Sequence, residues 1–286
     1  MTSGLGVVTM FRDEGPYLAE WIEYHLLAGV RRFWLYDNGS TDDGAQVLAP
    51  YVARSVVTLT PWPTIDNPPT RPERIAKQLA AARDGFARAS SEVAWVAHID
   101  VDEFLLPMQD ADVPACLDKH FVEASAVYVN WRMFGTSGVE LPGGAPILPA
   151  LKRCSRRDHP ENRVGKSLVR PGAVDLEAIW YVHHFPLRSG FYVDGANNRL
   201  HFDAHNDLVK QDGHFDEYLR INHYNLRDER FFRTRRLPDA EAGRLDKKID
   251  RLLRHQRDFD EDRDKQILRY LRHEHGAAYR ARWEGR

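Results

Sequence analysis

The sequence predicts an α/β fold in which a mainly parallel sheet is flanked by helices. Short apolar runs rich in β-branched and aromatic residues alternate with stretches of helical periodicity through about the first hundred residues. Because such alternation links parallel strands through right-handed helical crossovers, we expect helices on both faces of the sheet. The chain of 286 residues, 43% of them hydrophobic and 11% aromatic, can form one large core.

The predicted elements of this first part follow in strict order. Apolar runs bounded by polar turns predict strands at residues 6–11, 32–36, 56–59 and 95–99. Apolar residues at helical spacing predict helices at residues 17–27, 45–51 and 74–89. The first helix is expected to end at Gly29, and a proline-rich loop at residues 61–72 should precede the third helix.

The second part of the chain is less regular. Strands are predicted at residues 126–130, 166–169, 179–185 and 221–224, and charged helices are predicted from Glu229 onward. No repeat or low-complexity linker marks a division into two folding units.

Composition argues against several classes of protein. The formal net charge is −2, so no overall field favours nucleic acid or an anionic membrane. Cys116 and Cys154 form neither a disulfide framework nor a metal-binding spacing. The first residues lack the pattern of a signal peptide, and no apolar run approaches the ~18 residues that span a bilayer. We therefore expect a cytoplasmic protein with reduced thiols.

Three carboxylates stand where the fourth predicted strand ends. The apolar run from Trp95 to Ile99 is followed by Asp100, Asp102 and Glu103. Charged groups are rarely buried unless they are paired or bound to a metal. The two aspartates are hard oxygen donors that suit Mg²⁺ or Mn²⁺ and leave positions for a phosphate. The alternative is a solvated loop that begins with acidic residues.

Polar loops follow the first, second and fourth predicted strands, at residues 12–16, 37–43 and 100–103. Ligands of open parallel sheets bind outside the carboxyl ends of the strands. Because the topology brings these three loops to one rim, we expect a ligand site there.

Five blocks of residues occur in a fixed order at 11–42, 99–105, 130–138, 166–171 and 221–224. They include Phe-Arg-Asp-Glu, Tyr-Asp-Asn-Gly-Ser-Thr-Asp, Ile-Asp-Val-Asp-Glu-Phe-Leu and Ile-Asn-His-Tyr. This set resembles the glycosyltransferase family 2-like proteins that are related to glycosyltransferase family 92. The resemblance covers roughly residues 7–236. It departs from the family pattern at Arg12 and Asp13, where a Lys-Asn pair is more usual.

The resemblance implies a GT-A fold, the α/β architecture of nucleotide-diphospho-sugar transferases, with a C-terminal helical extension. It implies a glycosyltransferase domain at residues 1–236 and a charged helical extension at 237–286. The nucleotide-binding half would cover about residues 1–110 and the acceptor half about 111–236. The implied function is an inverting, metal-dependent transfer of a sugar, typically from a UDP-sugar, to a hydroxyl group in glycan or polysaccharide synthesis.

The same resemblance implies cofactor and partners. The cofactor is expected to be Mn²⁺ or Mg²⁺. The partners are expected to be a nucleotide-sugar donor and a glycan or lipid-linked acceptor, with no nucleic acid. The mixed charges of the C-terminal helices allow peripheral contact with the inner face of a membrane or with a second copy of the chain, and a solvated face is the alternative.

The metal site is expected to centre on Asp102 as a direct ligand. Asp100 would contact the metal or the ribose. The matching Ile-Asn-His-Tyr block adds His223 as a third ligand, and His183 and His184 are alternatives for that role.

Phosphate binding is expected from Lys166 and Arg170, which the strand period would place on one face. The nucleotide contacts implied at the first two strand ends are Asp13, Glu14, Asp37 and Asn38. The alternative for Asp37 and its neighbours is a structural role in turns and a helix cap.

The acceptor half supplies the predicted sugar contacts. Trp131 and Phe134 are expected to stack on a sugar face, and Gly135 allows close backbone approach. Ser137 and His184 complete the predicted substrate contacts. The alternative is that both aromatic residues belong to the core.

A carboxylate must serve as the catalytic base of an inverting transfer. Asp216 is the first choice because it closely precedes the strand at 221–224, and Asp203 and Glu217 are the alternatives.

Two other functions compete. A phosphohydrolase of the haloacid dehalogenase type also binds Mg²⁺ through a strand-end Asp-x-Asp, but its motif continues differently and lies near the N-terminus. A sugar-binding protein on a degenerate transferase fold is the non-catalytic alternative. The presence of Asp100, Asp102 and His223 argues against it.

Overall fold

A computed structural model of the chain describes residues 4–62, 71–178, 181–201, 213–238 and 246–284. Its strands are β1 Leu5–Phe11, β2 Val30–Asp37, β3 Val57–Pro61, β4 Trp95–His98, β5 Glu103–Pro107, β6 Ala126–Met133, β7 Arg153–Cys154, β8 Gly165–Val169, β9 Tyr192–Asp194, β10 Leu219–His223 and β11 Asp262–Arg263. Its helices are α1 Gly15–Leu27, α2 Gly44–Ala53, α3 Arg71–Ala89, α4 Val113–His120, α5 Glu229–Phe231, α6 Asp246–Asp258 and α7 Gln266–Tyr279. Turns of π-helix follow α5 at Phe232–Arg236 and α7 at Arg280–Glu284.

The central sheet has the strand order β3-β2-β1-β4-β8-β6-β10-β5, and β9 pairs with β6. The pairs β1–β2, β1–β4, β2–β3, β6–β9 and β6–β10 are parallel. The pairs β4–β8, β6–β8 and β5–β10 are antiparallel. The predicted mainly parallel α/β sheet is therefore confirmed.

The predicted elements of the first part are confirmed with shifts of a few residues at their ends. The second part needs corrections. A strand was predicted at residues 179–185, but residues 181–185 contain none. Residues 179 and 180 lie outside the described residues, and so do residues 63–70 of the proline-rich loop. The prediction missed α4, β9 and β5. The last of these begins at Glu103, where we had expected only a strand-end loop.

Apolar side chains form a core on each face of the sheet. On one face, α1 packs beneath β5, and two of its aromatic side chains bond to that strand. Trp21 Nε1 donates to Glu103 O at 2.9 Å, and Tyr24 Oη donates to Leu105 O at 2.6 Å. On the other face, Phe86 of α3 packs with Trp34 and Tyr36 of β2. The core therefore ties the residues after Asp102 to the helix that follows β1.

The described part of the C-terminal segment packs onto the sheet through buried ion pairs. Arg132 of β6 pairs with Asp262 at 2.9 Å, and Arg220 of β10 pairs with Asp264 at 3.0 Å. Both arginines are almost fully buried. A buried guanidinium needs such anions because its desolvation is otherwise uncompensated. The predicted domain boundary at residue 236 remains a prediction, but these contacts join the two predicted parts.

We expect the Asp264→Ala variant to be less stable than the wild type by about 2–4 kcal/mol, because it removes an anion from the buried Arg220. Urea unfolding at pH 7 measures the difference. The matched control is Asp158→Ala, whose side chain is 73% exposed and pairs with exposed Arg156. Its effect should stay within about 0.5 kcal/mol. Equal effects of the two variants would contradict a supporting role for the C-terminal segment.

Candidate functional site

The loops after β1 and β2 meet at the carboxyl rim of the sheet and bond to each other. Asn38 N donates to Phe11 O at 2.9 Å, and Thr41 N donates to Asp13 Oδ1 at 2.7 Å. Asp13 has a φ of 53°, in the left-handed region that a non-glycine residue rarely adopts. Burial acts to raise the pKa of Asp13, but the hydrogen bonds from Thr41 outweigh it and the pKa is lowered. Asp13 therefore helps to hold the two loops together as an anion.

The loop after β2 forms a turn and also contacts α3. Asp37 Oδ1 accepts a hydrogen bond from Ser40 N at 2.8 Å, so the expected turn forms. Asn38 Oδ1 accepts from Lys77 of α3, which brings a cation to this side of the rim. Sequence reasoning missed Lys77.

The third loop is a tight turn between β4 and β5. Glu103 N donates to Asp100 O at 3.0 Å, and Asp100 N donates to Glu103 Oε2 at 2.8 Å. Lys166 of β8 contacts Asp100 Oδ2 through its Nζ at 2.9 Å. Burial acts to lower the pKa of Lys166, but Asp100 and Glu103 raise it above its ordinary value. Lys166 therefore stays charged beside the turn.

Asp102 faces His223, the last residue of β10, and Arg236 from the chain that follows. Its Oδ1 lies 3.5 Å from His223 Nε2, and its Oδ2 lies 3.4 Å from Arg236 Nη2. Burial acts to raise the pKa of Asp102, but His223 and the nearby arginines outweigh it and hold the pKa well below its usual range. Asp102 is therefore an anion whose partners all come from the second part of the chain.

A second buried ion pair lies beside this cluster. Arg227, which is 1% exposed, contacts Glu14 Oε2 through Nη2 at 2.8 Å. Its guanidinium lies 3.9 Å from the ring centre of Tyr17. Burial raises the pKa of Glu14 even though Arg227 opposes that shift. Sequence reasoning missed Arg227 and Arg236, because a buried arginine and a solvated one look alike in a charged stretch.

The donor set can be tested for a metal ion. Within the described residues, no group of three or more histidine, cysteine or acidic side chains is arranged to hold a metal. Asp102 and His223 converge, while Asp100 is already paired with Lys166. Mg²⁺ is commonly bound by one or two carboxylates plus substrate phosphates and water. The residues thus fit a metal that takes most of its ligands from a bound diphosphate.

A family model described as "Glycosyltransferase family 92" matches residues 7–251 of the chain. The chain belongs to glycosyltransferase family 92. This confirms the resemblance seen in the five sequence blocks, and the match reaches beyond residue 236 into α6.

Two plant members of family 92 illustrate the relationship. A family 92 protein of Ricinus communis is 32% identical over 204 residues, which cover 68% of this chain and 33% of the relative. One of Oryza sativa subsp. japonica is 32% identical over 188 residues, covering 64% of this chain and 30% of the relative. The chain thus spans about a third of the length of these relatives.

Solved structures of two other transferases show a more distant likeness. A structure of S. aureus TarS in complex with UDP has a TM-score of 0.37 and 14% identity, and the match covers 60% of this chain and 48% of that one. Glucosyl-3-phosphoglycerate synthase of Mycobacterium tuberculosis, in complex with Mn²⁺, UDP and product, has a TM-score of 0.32 and 18% identity, covering 60% and 58%. The family match and the sheet order together agree with the expected GT-A fold class.

Most residues predicted to contact the nucleotide or the metal lie at one rim of the sheet. The three loops lie at adjacent ends of β2, β1 and β4, as the topology predicted. Trp131 also lies here, with its ring centre 4.5 Å from that of His223 and 5.4 Å from that of His183. Packing on both histidines limits the ring area that is open to a sugar.

Arg170 does not join this group. It follows the last residue of β8, and its guanidinium lies 4.4 Å from the ring centre of Trp95, at the opposite end of β4. Its Nε donates to Ala124 O at 3.0 Å. The predicted phosphate contact fails because β8 runs antiparallel to β4, so the residue after β8 lies at the amino end of β4, at the rim opposite the site.

The expected sugar-binding loop is largely internal. Phe134 is fully buried, with its ring centre 4.5 Å from that of Tyr224. A Cβ on Gly135 would lie 2.2 Å from Asp260 Oδ1, so this glycine permits contact with the C-terminal segment. Ser137 Oγ accepts hydrogen bonds from the backbone of residues 152 and 153, both at 2.9 Å. These contacts correct the prediction for Phe134, which is a core residue, while Gly135 and half-buried Ser137 are engaged by other parts of the protein.

His184 is buried and stacks on Tyr181, with ring centres 4.8 Å apart. It adds no metal contact to the Asp102–His223 pair within the described residues. Asp203, an alternative base, lies outside the described residues.

Asp216 is held between two arginines and a histidine. Its carboxylate contacts Arg157, His214 at 3.1 Å and Arg220 at 3.5 Å. Burial acts to raise the pKa of Asp216, but His214 and the two arginines outweigh it and lower the pKa to about 2. So weak a base, with both oxygens engaged, disagrees with the predicted role as catalytic base and indicates a structural one.

We expect Asp216→Asn to lower the free energy of unfolding at pH 7 by about 2 kcal/mol or more. Because the pKa in the folded state lies below the ordinary value of 3.8, the stabilisation is complete above about pH 5 and is lost between about pH 4 and pH 2. Urea unfolding of both proteins from pH 7 to pH 3 should therefore show a shrinking difference. A stability difference near zero at pH 7 would contradict the structural role.

Proposed function

We propose that this family 92 domain transfers a sugar from a nucleotide sugar, with UDP as the nucleotide, to a hydroxyl acceptor on a glycan or lipid-linked saccharide. One observation carries the proposal. The carboxyl ends of β1, β2 and β4 meet at one rim, where the acidic turn after β4 lies against buried Lys166 of β8 and where Asp102 faces His223 of β10. Ligands of parallel sheets bind at such a rim.

Departure of the nucleoside diphosphate requires positive charge close to the phosphates. Lys166 and Arg236 are the cations of the rim that lie beside Asp100 and Asp102. An arginine offers paired N–H donors and a lysine a compact charge, so the two can stabilise the charge that develops on the leaving group. Buried Arg227 adds a fixed positive charge behind them.

A divalent ion, Mn²⁺ or Mg²⁺, would be held by Asp102 and His223. When bound, it would neutralise the diphosphate. Asp100 would then hold Lys166 and face the ribose, because its carboxylate already accepts a hydrogen bond from the Lys166 ammonium group at 2.9 Å. This assigns the two aspartates of the turn to different partners.

The nucleotide side would be the surface formed by the loops after β1 and β2. Asp37 and Asn38 stand at the end of β2, and Asp13 holds the neighbouring turn closed. Trp131 and His183 would border the sugar, since the Trp131 ring packs beside His223 and the His183 ring packs on Trp131. The inverting outcome is part of this proposal.

The phosphohydrolase alternative would require the first aspartate as a free nucleophile. Asp100 is instead tied to Lys166 and to the turn, and the chain belongs to a transferase family. The non-catalytic alternative finds no support in a rim that keeps Asp102, His223 and Lys166 together.

We expect UDP to bind more tightly with Mn²⁺ than without it, and Asp102→Asn to abolish most of that gain. Calorimetry with UDP, with and without Mn²⁺, measures both. Loss of one carboxylate ligand should reduce the metal-dependent gain by about 10- to 100-fold. A screen of UDP-, GDP- and TDP-sugars for hydrolysis would then identify the donor.

The control for this experiment is Asp110→Asn, which alters a carboxylate paired with Lys119 and His120 near α4. It should leave UDP binding unchanged. Identical UDP affinity for wild type and Asp102→Asn in both conditions would contradict the metal role. Release of phosphate from simple esters without nucleotide binding would favour the phosphohydrolase.

A further inference from the structure

Glu103 is a fully buried carboxylate directly beside the donor turn. A buried carboxyl group is unfavourable unless it is hydrogen-bonded, and burial raises the pKa of this one well above its ordinary value. Neither the predicted metal ligands nor the predicted nucleotide contacts include it.

The backbone and side chain of Glu103 close the turn from both sides. Its N–H donates to Asp100 O at 3.0 Å, while its Oε2 accepts from Asp100 N at 2.8 Å. Its own carbonyl accepts from Trp21 Nε1 at 2.9 Å, which anchors the turn to α1. These bonds restrain the backbone that carries Asp100 and Asp102.

Glu103 also lies between Lys166 of β8 and His223 of β10. Its Oε2 is 4.0 Å from Lys166 Nζ, and its Oε1 is 4.0 Å from His223 Nε2. Oε1 is buried and has no hydrogen-bond partner among the described residues. The carboxylate therefore faces Lys166 with one oxygen and His223 with the other.

We infer that Glu103 is a positioning residue of the donor site. It holds the turn so that Asp102 faces His223, and it shares Lys166 with Asp100 so that the lysine stays beside the phosphates. It contacts no reacting atom. This inference rests on the proposed function, because it concerns the same donor site.

Two substitutions test the hydrogen bond to the turn. Glu103→Gln keeps an oxygen that can accept from Asp100 N. Glu103→Met keeps a similar volume and removes that acceptor. The matched control is Glu20→Gln. The Glu20 carboxylate of α1 is also engaged by the protein, because it accepts hydrogen bonds from the backbone of Ile147 at 2.7 Å and from Trp283 at 2.9 Å.

The first measurement is amide hydrogen exchange at Asp100 without any ligand. Glu103→Gln and Glu20→Gln should exchange at nearly the wild-type rate, and Glu103→Met should exchange at least about tenfold faster, because the turn loses its acceptor. Equal slow exchange in Glu103→Met and wild type would overturn the positioning of the turn. This readout does not depend on the enzyme's activity.

The second measurement is UDP affinity by calorimetry, with and without Mn²⁺. In Glu103→Met the gain from Mn²⁺ should fall about tenfold, because the turn that carries Asp102 loses the acceptor that restrains it. Affinity without metal should not fall, and Glu103→Gln and Glu20→Gln should stay close to the wild type. An unchanged gain in Glu103→Met, or the same loss in Glu20→Gln, would overturn the inference.

The two failures can be told apart. If wild type itself shows no gain from Mn²⁺, the metal part of the proposed function fails. Amide exchange at Asp100 in Glu103→Met then decides alone whether Glu103 positions the turn.

Discussion

The site depends on the compensation of buried negative charge at one rim of the sheet. Asp102 and Glu103 are almost fully enclosed, and Glu14 lies beside them. Carboxylates in such a place would take up protons or destabilise the fold unless cations and hydrogen bonds held them. Lys166 and Arg227, both buried, provide much of that compensation.

The side chains that face these carboxylates link the two parts of the chain. The carboxylates come from the loops after β1 and β4, whereas Lys166 comes from β8 and His223 from β10. Arg227 and Arg236 follow β10 in the segment that crosses the rim. The acidic half is therefore completed electrostatically only when the less regular half has folded against it.

Buried ion pairs also join the sheet to the C-terminal segment. Arg132 and Arg220 of the sheet pair with Asp262 and Asp264 of that segment. Trp283 donates to Glu20 of α1 at 2.9 Å, so the end of the described chain returns to the helix beneath the turn. The segment after residue 246 is thus packed into the same structure, although its composition resembles a solvated helical tail.

The sequence by itself determined the alternating first half, the rim on which its loops meet, and the family. Those features depend on local periodicity and on the general topology of parallel sheets, which leave marks in single segments. It also indicated Asp102, His223 and Lys166, which the tertiary structure brings together. It could not decide which charged residues are buried, because Arg170 and Arg227 look equivalent in the chain.

Only the tertiary structure separated them. Antiparallel pairing of β8 places Arg170 at the opposite rim of the sheet. The side chains paired with Asp216 give this residue, the first choice as catalytic base, a structural role instead. Glu103 likewise gained its place from contacts with Lys166 and His223, which are 63 and 120 residues away in the sequence. Long-range pairing of charges depends on three-dimensional packing, and sequence spacing carries no record of it.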